Sequence, residues 1–242
     1  MIGLARLGVG GAAAIWIGYA WGAHLLTATA TWRGPATVRR IALTFDDGPD
    51  PAWTPRIAAA LAARDVRGTF FLVGQRADAH PATVRELAEA GHEIASHGWS
   101  HRSLWLCGPR RTADEVERAQ ARLAELAGSA PRFFRPPWGM VNAALFSVLR
   151  RSALRCVLWS IQPEGLRARA TEAQVAHVLT RAHSGAIVDL HDAEGVAGAP
   201  ARLAAALPAM IDGLRARGYA LTTLGELLSP ALPTRDHPGT RP

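Results

Sequence analysis

The 242-residue chain contains no lysine: all 27 of its basic residues are arginine. That excludes Schiff-base catalysis through a lysine amine and the phosphate-binding lysine of a P-loop. Cysteine is scarce as well, with only Cys107 and Cys156 and no spacing that suits a metal. Cys156 lies in the apolar run LRCVLW and reads as a small buried hydrophobe. A disulfide to Cys107 in an oxidising compartment is the alternative. There is no internal repeat. The net charge of +7 and the isoelectric point near 11.0 suit an anionic partner such as a membrane or wall surface. The arginines are nevertheless spread along the chain without a nucleic-acid signature, so no nucleic-acid partner is expected.

What the chain has in quantity is apolar surface. Hydrophobic residues make up 49% and charged residues 19%, enough for one domain with a large core. No formally charged residue occurs from Leu7 to Thr31, a run longer than the roughly 20 residues a membrane helix needs. Trp16, Tyr19 and Trp21 fall within it, and Ala28-Thr29-Ala30 has the small-x-small form of a signal-peptidase site. Residues 1–31 are therefore expected to be one N-terminal membrane helix (a transmembrane anchor) or a signal sequence. A domain over 38–228 and a loose, proline-rich tail over 229–242 follow. Arg6 on one side of the run and Arg33, Arg39 and Arg40 on the other do not set its orientation.

From Val38 onward strand and helix patterns alternate. Strands are expected at 41–45, 68–73, 93–95, 132–134, 154–159, 186–190 and 219–222. Helices are expected at 55–63, 81–90, 112–127, 142–150, 171–181 and 200–217, with Thr112 and Glu115 forming a capping box at the third. About seven strands separated by helices predict an α/β fold with a parallel sheet, open or closed into a barrel. Chemistry in such folds sits at the C-terminal ends of the strands.

Four short motifs lie at such ends. TFDDG places Asp46 and Asp47 at the lip of a buried strand, where two acids are costly unless a metal or an arginine uses their charge. The alternative is a solvated Asp-Gly turn. SHGWSH spaces His97 and His101 four apart, which on a helical turn puts both imidazoles on one side. Two histidines and a carboxylate leave metal positions open for water and substrate. Arg135, in FFRPPWG, stands in a rigid loop that can press its guanidinium against a carboxylate. His191 ends the strand AIVDL, where a histidine near a metal suits a general acid. A surface arginine and a core histidine are the competing readings of these last two.

Taken in order along an α/β chain, TFDDG, HGWSH, RPPWG and the strand ending in Leu-His resemble the NodB-type polysaccharide deacetylases (carbohydrate esterase family 4) over about Val38 to Leu228. The resemblance implies a distorted (β/α) barrel, a divalent metal (usually zinc), and removal of N- or O-acetyl groups from amino-sugar polymers. It also implies Asp46 as general base, His191 as general acid and Arg135 as the residue orienting the base. Asp47, His97 and His101 match its metal ligands. Trp99, Trp138 and Pro137 are candidates for the sugar-binding surface, packing being the alternative for the tryptophans.

The chain departs from the family pattern at three places. Gly98 stands where Ser or Thr is common. Gln162 stands where an aspartate commonly tunes the catalytic histidine, and Glu164-Gly165 replace an Asp-Trp pair. A neutral Gln162 predicts a lower pKa for His191. The expectation is a membrane-anchored or exported enzyme of the cell envelope, taken as a monomer, acting on an acylated carbohydrate such as a cell-wall or exported polysaccharide. The competing readings are a deacylase or deformylase of a lipid-linked sugar and a non-catalytic, metal-stabilised glycan-binding module.

Overall fold

The computed structural model describes residues 14–20, 22–164, 169–193 and 195–229. The first half of the apolar run, Trp21, Gly165 and the tail from 230 lie outside the described residues. Seven strands form one sheet: β1 (Arg40–Asp46), β2 (Thr69–Leu72), β3 (Glu93–Ser96), β4 (Phe133–Phe134), β5 (Arg155–Cys156), β6 (Ile187–His191) and β7 (Ala220–Thr222). The helices between them are α1 (Thr54–Ala62), α2 (Gly74–Ala79), α3 (Pro81–Glu89), α4 (Pro109–Ala127), α5 (Leu145–Arg151), α6 (Thr171–Arg181), α7 (Ala199–Ala216) and α8 (Leu224–Leu228).

Every strand pairing is parallel, in the order β5-β4-β3-β2-β1-β6, with β7 beside the start of β1. The sheet curls into a half-barrel. Residues just after β5 return to its other end, where Ser160 donates to Ile187 O at 3.0 Å and Asp189 to Ile161 O at 2.9 Å.

The two-residue period of the strands sorts side chains between two environments. Ile41, Leu43, Phe45, Phe70, Leu72, Val188 and Leu190 face outward and meet Ile57 and Leu61 of α1 and Leu203, Leu207 and Met210 of α7. Ala42, Phe71, Ala95, Phe133, Val157 and Ile187 face inward. Leu224 and Leu227 of α8 close the N-terminal end of that interior. Glu93 fastens α8 there, accepting from Gly225 N at 2.8 Å and from Thr69 Oγ1 at 3.0 Å. At the C-terminal end the inward positions become polar: Thr44, Asp46, Asp189 and Arg135, all buried.

Several expectations need correction. The third long helix begins at Pro109 after an extended Gly108, so proline at the first helical position starts it and the Thr112 capping box does not form. Thr112 instead donates to Gly108 O at 3.1 Å. The strand expected over 154–159 is only Arg155–Cys156, because the chain then leaves β4 to reach β6. Both cysteines are free and pack in the same apolar cluster, and burial pushes the Cys156 thiol up to about 12.

Of the N-terminal segment expected to be a membrane helix or signal sequence, residues 1–13 and Trp21 lie outside the described residues. Residues 14–20 are helical, Gly22–Thr29 form a 3-10 helix, and no described helix is long and apolar enough to cross a membrane. Ala23 and Ala30 pack with Leu104, Phe134, Leu145 and Leu158 of the domain. Tyr19 Oη donates to Cys107 O at 3.2 Å, and Ala143 N donates to Tyr19 O at 3.0 Å. Thr31 N donates to Cys156 O at 2.9 Å, and Leu158 N donates to Thr31 O at 2.8 Å. A chain beginning at Trp32 would lose all of these bonds, at about 0.5–1.5 kcal/mol each. It should fold but melt roughly 4–8 °C below the full chain, for a loss of about 2 kcal/mol. Thermal melts of the two proteins check this, and equal melting would show that the contacts contribute nothing.

Candidate metal and catalytic site

Asp46 is the last residue of β1, so its side chain shares the inward face with Ala42 and Thr44. Asp47 follows in the left-handed region, with φ 76°, a conformation that Asp tolerates better than bulkier residues. The two carboxylates are 2% and 5% exposed, which removes the reading of a solvated Asp-Gly turn. Gly48 then passes directly over Asp192: it donates to Asp192 Oδ1 at 3.1 Å, and a Cβ on it would collide with that carboxylate. Asp192 Oδ2 accepts from Thr54 Oγ1 at 2.5 Å. Burial and the nearby Asp47 charge push the Asp192 carboxyl up, to about 7, against the hydrogen bond from Thr54.

His97 directly follows β3. Its Nδ1 lies 2.8 Å from Arg135 O; a carbonyl only accepts, so Nδ1 carries the proton and Nε2 presents its lone pair to the site. His101 does not lie on a helical turn, contrary to expectation. Positive φ at Gly98 (84°) and His101 (51°) folds a loop that brings the two rings to 5.2 Å. Gly98, where the resembling family has Ser or Thr, suits that backbone. Glu115 of α4, buried, holds the loop by accepting from Ser100 N at 2.8 Å and Ser100 Oγ at 2.7 Å.

Asp47 Oδ1 lies 2.9 Å from His101 Nε2 and 3.4 Å from His97 Nε2. One ligand atom from each of the three residues lies within 4.8 Å of the others. Burial raises the Asp47 carboxyl, but the two imidazoles outweigh it and hold it well below the carboxylate range. Two imidazole nitrogens and a carboxylate oxygen converging on one point fit a divalent cation.

Arg135 has no exposed surface. Its Nη1 reaches Asp46 Oδ1 at 2.6 Å, Thr44 Oγ1 at 2.9 Å and Asp189 Oδ1 at 3.1 Å. Its Nη2 and Nε donate to Leu158 O at 3.1 Å and Val157 O at 3.3 Å, and its plane lies 4.1 Å from the Phe71 ring centre. One cation against two buried carboxylates leaves an excess of negative charge. Asp189 carries the consequence: burial and the Asp46 charge raise its carboxyl to about 7.

His191 pairs in register with Asp46 across the β1–β6 ladder. Its Nδ1 is buried 3.5 Å from Glu164 Oε2, without a hydrogen bond. Burial would lower its pKa, but Asp189, Glu164, Asp46 and Asp47 raise it to about 10. The Gln162 amide donates to Asp189 Oδ2 at 3.1 Å.

The candidate sugar-binding residues separate. Trp138 is 54% exposed, with its ring 4.5 Å from that of His101, and remains an open stacking surface. Trp99 is 6% exposed, with Arg118 3.7 Å over its ring and Gly74 against its edge, so it packs the wall and offers no sugar platform. Pro137, which precedes Trp138 in the same turn, is buried. The structure brings Asp46, Asp47, His97, His101, Arg135 and His191 to one end of the half-barrel. It adds Thr44, Asp189, Asp192 and Glu115, of which only Asp189 had a visible signal, an acid inside an apolar strand.

Residues 33–157 match the polysaccharide deacetylase family. The chain is 33% identical over 204 residues to a peptidoglycan-N-acetylglucosamine deacetylase of Bacillus cereus, covering 84% of this chain and 94% of that protein. A chitooligosaccharide deacetylase of Azorhizobium caulinodans is 32% identical over 193 residues, covering 76% and 92% of the two chains. A crystal structure of a peptidoglycan N-acetylglucosamine deacetylase bound to an N-hydroxybenzamide superposes with a TM-score of 0.79 at 29% identity, covering 83% of this chain and 92% of that one.

Removing the guanidinium would leave Asp46 and Asp189 buried without a cation. Arg135→Met should therefore destabilise the fold by about 3–5 kcal/mol, lowering the melting temperature by roughly 6–20 °C. Arg135→Lys should recover only part of this, since an ammonium lacks the planar fork. Calorimetry of the three proteins checks the order, and a wild-type melt for Arg135→Met would remove the residue from its central place.

Proposed function

The chain belongs to the polysaccharide deacetylase family, and we propose that it hydrolyses the N-acetyl group of an N-acetylglucosamine-containing glycan, peptidoglycan or a chitin-like oligosaccharide. The observation that carries the reading is the convergence of Asp47, His97 and His101 directly beside Asp46 and Arg135.

Asp47, His97 and His101 would hold the metal, and the mixed nitrogen and oxygen donors favour zinc. When bound, the ion supplies Lewis acidity, polarising the acyl carbonyl and lowering the pKa of water. Asp46 takes the proton of the attacking water. Its Oδ1 is held by Arg135 Nη1 at 2.6 Å, while Oδ2 lies 3.8 Å from His97 Nε2 on the site side, so Oδ2 is the basic atom. His191 gives a proton to the leaving amine. Trp138, open beside His101, offers a face on which a sugar ring can pack. A glycan-binding module would need none of Asp46, Arg135 or His191, which speaks against that alternative.

The uncharged run from Leu7, together with exposed Ile15, Trp16, Ile17, Leu25, Leu26 and Trp32, supports placement at a membrane surface in the cell envelope. The same residues favour a second substrate reading, an acylated sugar carried on a lipid. Their segment is fastened to Cys107 and Ala143, in the loops that follow His101 and Trp138.

Zinc-loaded protein should release acetate from peptidoglycan or chitooligosaccharide, lose the activity to a chelator and regain it with added zinc. Release only from a lipid-linked N-acetylated sugar would select the second reading; no acetate from any of the three would sink both. Asp46→Asn should cost about 10²- to 10⁴-fold in kcat and still bind close to one zinc. Asp47→Ala should lose metal and activity together. Equal loss of zinc in the two variants would show that base and ligand have been interchanged.

A further inference from the structure

The Gln162 amide is bonded to Asp189, and the buried Nδ1 of His191 has no hydrogen-bond partner. Nδ1 is inaccessible while the side chain as a whole is 23% exposed. The open edge of the ring is thus the one away from Nδ1. Among the described residues, Glu164 Oε2 is the acidic oxygen in charge contact with it, at 3.5 Å.

Glu164 is itself held in place. It is buried, its Oε1 accepts from the fully buried Gln174 of α6 at 3.1 Å, and Arg202 of α7 comes to 3.9 Å. Two helices thus fix one oxygen of the carboxylate and leave the other facing His191. A carboxylate buried in this way is costly unless its charge is used.

We infer that Glu164 is the positioning residue of His191, its Oε2 closing from the observed 3.5 Å to accept from Nδ1–H so that the other ring nitrogen carries the proton to the leaving group. The inference rests on the deacetylase reading for its purpose and on the Glu164–His191 geometry for its content. Among the described residues, the charged and titratable groups facing the imidazole are Asp46 and Asp47 from β1 and its turn, Asp189 from β6 and Glu164 from the loop after β5. Arg135 stands behind Asp46 and Asp189, and Arg202 behind Glu164. Asp189 also raises the His191 pKa, but its two oxygens are engaged by Arg135 and Gln162. It therefore acts by charge, and Glu164 by charge and direction together.

The test is the titration of His191 in the zinc-loaded full chain, read by NMR of labelled histidine and assigned with His191→Asn. In the wild type the neutral ring should retain its proton on Nδ1; a neutral tautomer protonated on Nε2 would overturn the inference without any variant. Glu164→Gln should lower the His191 pKa by about one to three units, the range for a close opposite charge. The alkaline edge of kcat/KM should move to lower pH by the same amount, because it reports loss of the protonated acid. Glu164→Asp should recover part of both shifts. A Glu164→Gln protein that melts lower but keeps its imidazole pKa would make Glu164 a packing residue and end the proposal. The NMR titration is readable without turnover, so a chain releasing no acetate would cost the deacetylase reading and leave this one measurable.

Discussion

The guanidinium of Arg135 lies inside the half-barrel with no contact to solvent, and the arrangement of the site depends on it. A planar fork can donate in several directions at once. Here it joins β1 through Thr44 and Asp46, β6 through Asp189, and the carbonyls of Val157 and Leu158 beyond β5. Its own backbone carbonyl fixes the His97 ring. One residue thus orients Asp46, the proposed base, selects the nitrogen that His97 presents to the candidate metal site, and offsets charge that could not otherwise remain buried. The absence of lysine is consistent with this: a flexible ammonium could not make these bonds in a fixed plane.

Much of this was legible before any coordinates. Alternating apolar residues located β1, and continuous apolar runs located β2 and β6, within a residue or two, because strands buried on both faces leave a strong pattern. Short elements were poorly marked. The two-residue strand β5 has no period of its own, and α2 and α8 are short helices whose existence depends on what they pack against. The Thr112–Glu115 pair shows how a local signal can serve a distant purpose: Glu115 holds the His101 loop through Ser100 and caps nothing.

The site ligands and the paired acids were visible as motifs, but their supporting shell was not. Asp192 and Glu115 matter through contacts with residues far away in sequence, Gly48 and Ser100, and no spacing announces such pairs. Gln162 alone does not set the charge around His191, because a sequence shows the loss of a charge at one position and hides its supply from another. Glu164, two residues later, and Asp189, on a neighbouring strand, return the negative field. Trp99 and Trp138, equivalent as tryptophans in a string, were separated only by the Arg118 and Gly74 contacts that bury the first.

The closure of the sheet has a chemical side. The residues that return to β6, Ser160 and Ile161, lead within three positions to Glu164, and Ile161 is matched to Val188, three residues before His191. Acid and imidazole are therefore measured out from one pair of neighbouring backbone bonds, each by the same count of residues. A slip of one residue there would displace the carboxylate by about 3.3 Å along the strand and turn alternate side chains to the other face. The seam that joins the two ends of the half-barrel sheet is thus also a vernier, setting His191 in register with Asp46, the proposed base, across the ladder.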